Sequence, residues 1–145
     1  MKTKLYIFCF LMFSACNSIE TNDTLSKSDI DYIRSLNLLD KDEQIHRFYS
    51  EYKKRVAGNF FTDKRMAKYW IDERDSKKNS IHSAFYNEIQ AIDTVYYAGA
   101  TYSPYMMITK TDGKQFKVCA DGKREEIKAF FEEAIHLWRQ KKAAN

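Results

Sequence analysis

The chain has 145 residues and 17.2 kDa, enough for one domain and little beyond it. Hydrophobic residues make up 44%, aromatics 15% and charged residues 30%, a balance that excludes a chain disordered throughout. The 24 basic and 20 acidic residues leave +4, a mixed balance without the basic stripe of a nucleic-acid binder, so no nucleic-acid partner is expected.

The first sixteen residues read MKTKLYIFCFLMFSAC. Lys2 and Lys4 precede nine consecutive apolar or aromatic residues, Leu5 to Phe13. As a helix, that stretch spans roughly 14 Å, about half of a bilayer's hydrocarbon core, which is too short for a membrane anchor. Lysines, a short apolar run and small residues in that order make a secretory signal. Phe13-Ser14-Ala15-Cys16 resembles the lipobox of bacterial lipoproteins, in which the cysteine is acylated and becomes the first mature residue. Phe13 departs from that pattern, which has Leu, Ile or Val at this place. The resemblance implies a signal peptide over 1–15, palmitate-type lipidation of Cys16 and a membrane partner held through that lipid. Asn17, rather than Asp, follows the cysteine; by resemblance to enterobacterial sorting this implies the outer membrane of a cell envelope.

Taking residues 1–15 from the chain removes Lys2, Lys4 and no acidic residue, so the net charge falls from +4 to +2. Cys9 goes with them and Cys16 carries lipid, which leaves Cys119 as the free thiol and excludes an internal disulfide. On a strand, Cys119 is expected to act as a small buried hydrophobe.

Residues 16–25 are polar and without periodicity, and are expected to be a lipidated tether to a domain over 26–145. Ser28 with Asp31 suggests a capping box, and Ile30, Ile33 and Leu36 predict a short helix over about 27–37, pinned by Leu38-Leu39. Gln44–Lys54 predicts a first strand that Gly58-Asn59 breaks. Strands over 59–62 and 65–71 flank a two-residue turn, Asp63-Lys64. A charged loop over 72–80 leads to β-rich stretches over 81–92 and 94–98, around Asp93. Strands over 105–109 and 115–120 flank Thr111-Asp112-Gly113-Lys114, a strong hairpin signal because Asp-Gly accepts positive φ. The four glycines are all expected at turns, and Pro104 at a strand start. From Arg124 to Lys141, Ile127, Phe130, Phe131, Ala134, Leu137 and Trp138 draw one apolar stripe on a helix. That stripe is expected to face a core.

About seven antiparallel strands closed by a C-terminal amphipathic helix make the element order of a pleckstrin-homology-like domain. Phe60-Phe61-Thr62-Asp63-Lys64-Arg65, followed by Met66 and Tyr69-Trp70, resembles a hairpin of its bacterial members, where Thr-Asp/Asn-x-Arg sits between apolar strands. Phe85–Ile92 is similar to their later segment, with an acidic residue before Ile and a second Ile three on. The resemblance covers roughly 43–141. It implies an α+β fold: a bent sandwich or split barrel, capped by the last helix and preceded by a short N-terminal helix. In lipid-binding members of that superfamily, basic loop residues hold phosphates. The resemblance therefore implies Lys53, Lys54, Arg55, Lys64 and Arg65 as candidate anion-binding residues.

Catalytic signatures are missing: the chain has no G-x-G-x-x-G, P-loop, G-x-S-x-G or H-E-x-x-H. His46, His82 and His136 lack ligand spacing, so neither metal nor cofactor is expected. Ser80 and His82 near Asp75 make only a loose triad, and the carboxylates of Asp72, Glu73 and Asp75 read as a solvated loop. The expected function is a lipid-anchored, non-enzymatic protein-interaction module with a protein partner. The alternative is binding of anionic lipid or phosphorylated glycan through the basic loops.

Overall fold

The computed structural model describes residues 18–144; the signal segment, Cys9, Cys16 and Asn17 lie outside the described residues. The chain folds as α1 (Lys27–Ser35), β1 (Ile45–Tyr49), β2 (Ala57–Thr62), β3 (Arg65–Trp70), β4 (Ser80–Phe85), β5 (Ile89–Val95), β6 (Tyr105–Lys110), β7 (Gln115–Cys119) and α2 (Arg124–Ala143). Two antiparallel sheets result, one in the order β1-β2-β3-β4 and one in the order β5-β6-β7.

Strand geometry sends successive side chains to opposite faces, and the four-stranded sheet has a core on each. Phe61, Met66 and Ala84 point into the space between the sheets, where Ile89, Met106, Ile108, Phe116 and Val118 meet them. The stripe on α2 closes this core: Ile127, Phe130, Phe131 and Ala134 are buried, and Leu137 and Trp138 pack against it half-buried. Each aromatic or aliphatic side chain withdrawn from water in this way contributes about 1.5–3 kcal/mol. Phe48, Phe60, Ala67 and Tyr69 face the other way and meet Ile33 of α1 together with Leu25, Leu38 and Leu39. Covered on both faces, β2 is buried along its whole length.

Several boundaries differ from the sequence reading. The first strand ends at Tyr49, because the Ser50 hydroxyl bonds the carbonyls of Tyr52 (3.0 Å) and Ala57 (2.7 Å) and turns the chain away. Gly58 lies inside β2, opposite Tyr69, and the Tyr69 ring occupies the space a Cβ would need. Glycine serves close approach there rather than a turn. Gly113 (φ 83°) does occupy the β6–β7 turn. Asp93 is paired with Met107 within β5, and the break falls instead at a 3-10 turn, Tyr86–Glu88. The α1 cap is Ser26, whose hydroxyl accepts from the Asp29 N–H at 3.1 Å. The domain also begins before residue 26. Glu20 and Phe48 exchange backbone bonds of 2.8 Å and Asn22 N–H donates to the Ile45 carbonyl, so 20–22 runs along β1; a turn then leads to the buried Leu25.

Candidate interaction surface

The Thr-Asp-Lys-Arg segment is a buried clamp. The Thr62 hydroxyl accepts from the N–H groups of Lys64 (3.0 Å) and Arg65 (2.9 Å), closing the β2–β3 turn. The same hydroxyl donates to the Glu43 carboxylate. Arg65 grips that carboxylate with two bonds, Nε at 2.9 Å and Nη2 at 2.7 Å, and reaches Asp40 at 3.0 Å. Glu43, Thr62 and Arg65 are all buried, and the Phe85 ring lies over the guanidinium at 4.4 Å. Burial alone lowers the Arg65 pKa, but the bonds and charges of Glu43 and Asp40 outweigh it and hold the group charged. Glu43, which carries this network, stands outside every sequence pattern considered above. In the sequence it is one of three acids, with Asp40 and Asp42, before a β-rich run.

The other basic residues have their own partners. Lys54 Nζ pairs with Glu20 at 2.7 Å and with Asp29 at 3.3 Å. Arg55 donates to the Ser28 hydroxyl at 2.6 Å and lies 4.5 Å over the Tyr32 ring. Lys64 pairs with Asp40 at 3.6 Å, and Lys53 is exposed, 5.4 Å over Tyr52. Successive connections of an antiparallel meander lie at opposite ends of the strand between them. Lys53, Lys54 and Arg55 precede β2, while Lys64 and Arg65 sit at its far end, about 17 Å away along the strand. The five residues do not converge on one site.

Ser80 Oγ and His82 Nε2 lie 2.8 Å apart, as the loose triad required. Asp75, however, caps the 3-10 turn Ser76–Lys78 through the Lys77 N–H, and the His82 ring stacks on Phe116 at 5.7 Å. Burial, and then Lys68, lower the His82 pKa. Asp72 accepts the N–H groups of Arg74 and Asp75, which places its carboxyl below the usual range. Among the described residues no three His, Cys, Asp or Glu side chains converge as a metal-ligand set. Cys119 is half-buried on β7, and burial raises its thiol pKa.

A concavity of about 660 Å³ runs between the start of α2 and the β5–β6 connection. Tyr96, Tyr97 and Ile127 give it an apolar wall; Arg124, Lys128 and Glu132 give it a polar rim. Tyr97 is 82% exposed, while the Tyr96 ring is anchored 5.3 Å from Phe131. An aromatic held from beneath and open above is a low-entropy contact surface.

No protein-family model matches the chain, and no curated protein matches it in sequence. Among solved structures the chain superposes on the crystal structure of a DUF1696 family protein with a pleckstrin-homology domain from Shewanella loihica PV-4. The TM-score is 0.53 at 15% identity, over 84% of this chain and 97% of that one. The fold is pleckstrin-homology-like. Seven antiparallel strands in two sheets, the closing helix and the short N-terminal helix are all present, as the sequence led one to expect.

Proposed function

We propose that the protein is a lipid-anchored, non-enzymatic interaction module of a bacterial cell envelope. The observation that carries this reading is the order of the chain: a charged start, a short apolar run and Ser14-Ala15-Cys16, then at once a pleckstrin-homology-like domain. Among the described residues no helix is long and apolar enough to cross a membrane. In this reading the attachment is lipid on Cys16. Stable attachment needs more than one acyl chain, which a multiply acylated cysteine provides. The outer membrane is the expected site.

The groove beside α2 is the surface offered to a protein partner, with Tyr97 as its exposed anchor. Burial of Arg65 on Glu43, and the pairing of Lys54 with Glu20 and of Arg55 with Ser28, favour this reading over anion binding through the basic loops.

Cys16→Ser tests the anchor. Loss of labelled palmitate incorporation and release from the membrane fraction support it; unchanged labelling and retention refute it. A photo-crosslinking residue at Tyr97, with one at Asp112 as control, tests the surface. Adducts specific to position 97 support it, and equal adducts at both positions refute it.

A further inference from the structure

A sheet edge presents unpaired backbone groups, and proteins protect such edges with charge, proline, bulges or a covering segment. Three of the four edges here are protected. Residues 20–22 bond along β1. β5 carries Asp93 and a bulge between Ile89 and Ala91, and the Trp138 indole N–H bonds the Ile89 carbonyl at 3.3 Å. β7 carries Lys117, and its Cys119 N–H donates to the buried Asn59 side chain at 3.0 Å. β4 differs. Its sequence, Ser80-Ile81-His82-Ser83-Ala84-Phe85, holds no lysine, acid or proline, and its pairing with β3 runs without a bulge.

The outward backbone groups follow from the pairing. Tyr86 N–H donates to the Lys64 carbonyl, so even-numbered residues turn their backbone toward β3. Ile81, Ser83 and Phe85 therefore turn theirs outward, and the Phe85 N–H is met only by the Glu88 side chain, at 2.9 Å. Ile81 and Phe85 are also 43% and 40% exposed.

We propose that β4 pairs antiparallel with β4 of a second copy of this chain, about a two-fold axis at Ser83. In that register the two Ser83 residues exchange backbone bonds, and each Ile81 N–H reaches the second copy's Phe85 carbonyl. Each Ile81 side chain then lies opposite the second copy's Phe85, an aromatic–β-branched pair that stabilises sheets. The strand ends agree in charge: Lys77 and Lys78, both exposed, come beside the second copy's Glu88, a carboxylate that within its own chain accepts from Phe85 N–H and lies 3.8 Å from Lys110. Self-complementarity of this kind is what an isologous interface requires, and it favours a second copy over a foreign strand.

The test uses the full chain in density-matched detergent. Sedimentation is expected to show a dimer, which Ile81→Lys weakens at least about tenfold and Lys78→Glu weakens by setting like charges together. Circular dichroism checks that both variants remain folded. Directly opposite residues in such a pair have Cα atoms about 5.5 Å apart, within disulfide reach. Oxidised Ser83→Cys is therefore expected to form a covalent dimer, whereas His82→Cys, whose side chain faces the other sheet, is not. A parent chain that remains a monomer at the highest concentration reached overturns the proposal. So does a dimer indifferent to Ile81→Lys, or equal cross-linking at positions 82 and 83.

Discussion

Arg65 is the side chain on which the candidate anion-binding set and the fold compete, and the fold takes it. A guanidinium bonded twice to a buried carboxylate has no free face for a phosphate, and Glu43 cannot remain buried and charged without it. Arg65→Ala is expected to cost about 3–5 kcal/mol in urea unfolding, because it strands the Glu43 charge. Arg65→Lys should restore only part, since an ammonium lacks the planar fork. Gly58→Ala is expected to cost about 1–3 kcal/mol by forcing the Tyr69 ring aside, with unfolding midpoint as the readout. Little of this was legible in the sequence. The Thr-Asp-Lys-Arg quartet was visible, but a charge on a turn carries the same letters whether it faces solvent or a carboxylate 22 residues earlier.

At the scale of elements, the docking of α2 rests on the aromatic stripe, on the Trp138 bond to the Ile89 carbonyl and on a polar clamp at Glu133. Glu133 accepts from Arg47 Nε at 2.6 Å and from His46 Nδ1 at 3.1 Å, tying the helix to β1. Burial pushes the Glu133 carboxyl up, but the bonds from Arg47 and then His46 outweigh it, and its pKa lies below the ordinary 4.5. A depressed carboxylate contributes stability above its unfolded pKa and loses it as pH falls through the folded value. Stability is therefore expected to fall below about pH 4.5. Glu133→Gln should flatten that acid limb in urea unfolding measured across pH; an unchanged limb would show that the clamp contributes nothing. For the basic loops, Lys53→Glu with Lys64→Glu reverses one charge at each end of β2 while leaving the Arg65–Glu43 bonds in place. Sedimentation with anionic vesicles at low and high salt is expected to be the same as for the parent. A loss of salt-sensitive binding would revive the anion reading.

The elements themselves were largely legible, because they rest on periodicity and turn chemistry. The α2 stripe and the Asp-Gly and Asp63-Lys64 turns fell where the structure has them. The β4–β5 break was not legible. Tyr86 is buried like a strand residue, and the chain turns there through the Ile89 N–H bond to the Tyr86 carbonyl and the Phe85 N–H bond to Glu88. Residues 20–22 were not legible for a related reason: they dock through backbone bonds to β1, which leave no hydrophobic pattern.

On the scale of the whole molecule, α1 with Leu25, Leu38 and Leu39 covers one face of the four-stranded sheet, while residues 20–22 bond the edge of β1, so the chain enters the domain beside that strand. Any attachment at Cys16 therefore sits only a few residues from packed structure. With lipid on Cys16, as proposed, the groove beside α2 and the β4 edge would lie on a body held close to the bilayer. The most direct test is the intact mass of the protein purified from membranes. The account predicts a mature chain that begins at Cys16 and carries acyl groups on it. A chain that keeps residues 1–15, or begins elsewhere without lipid, would contradict it.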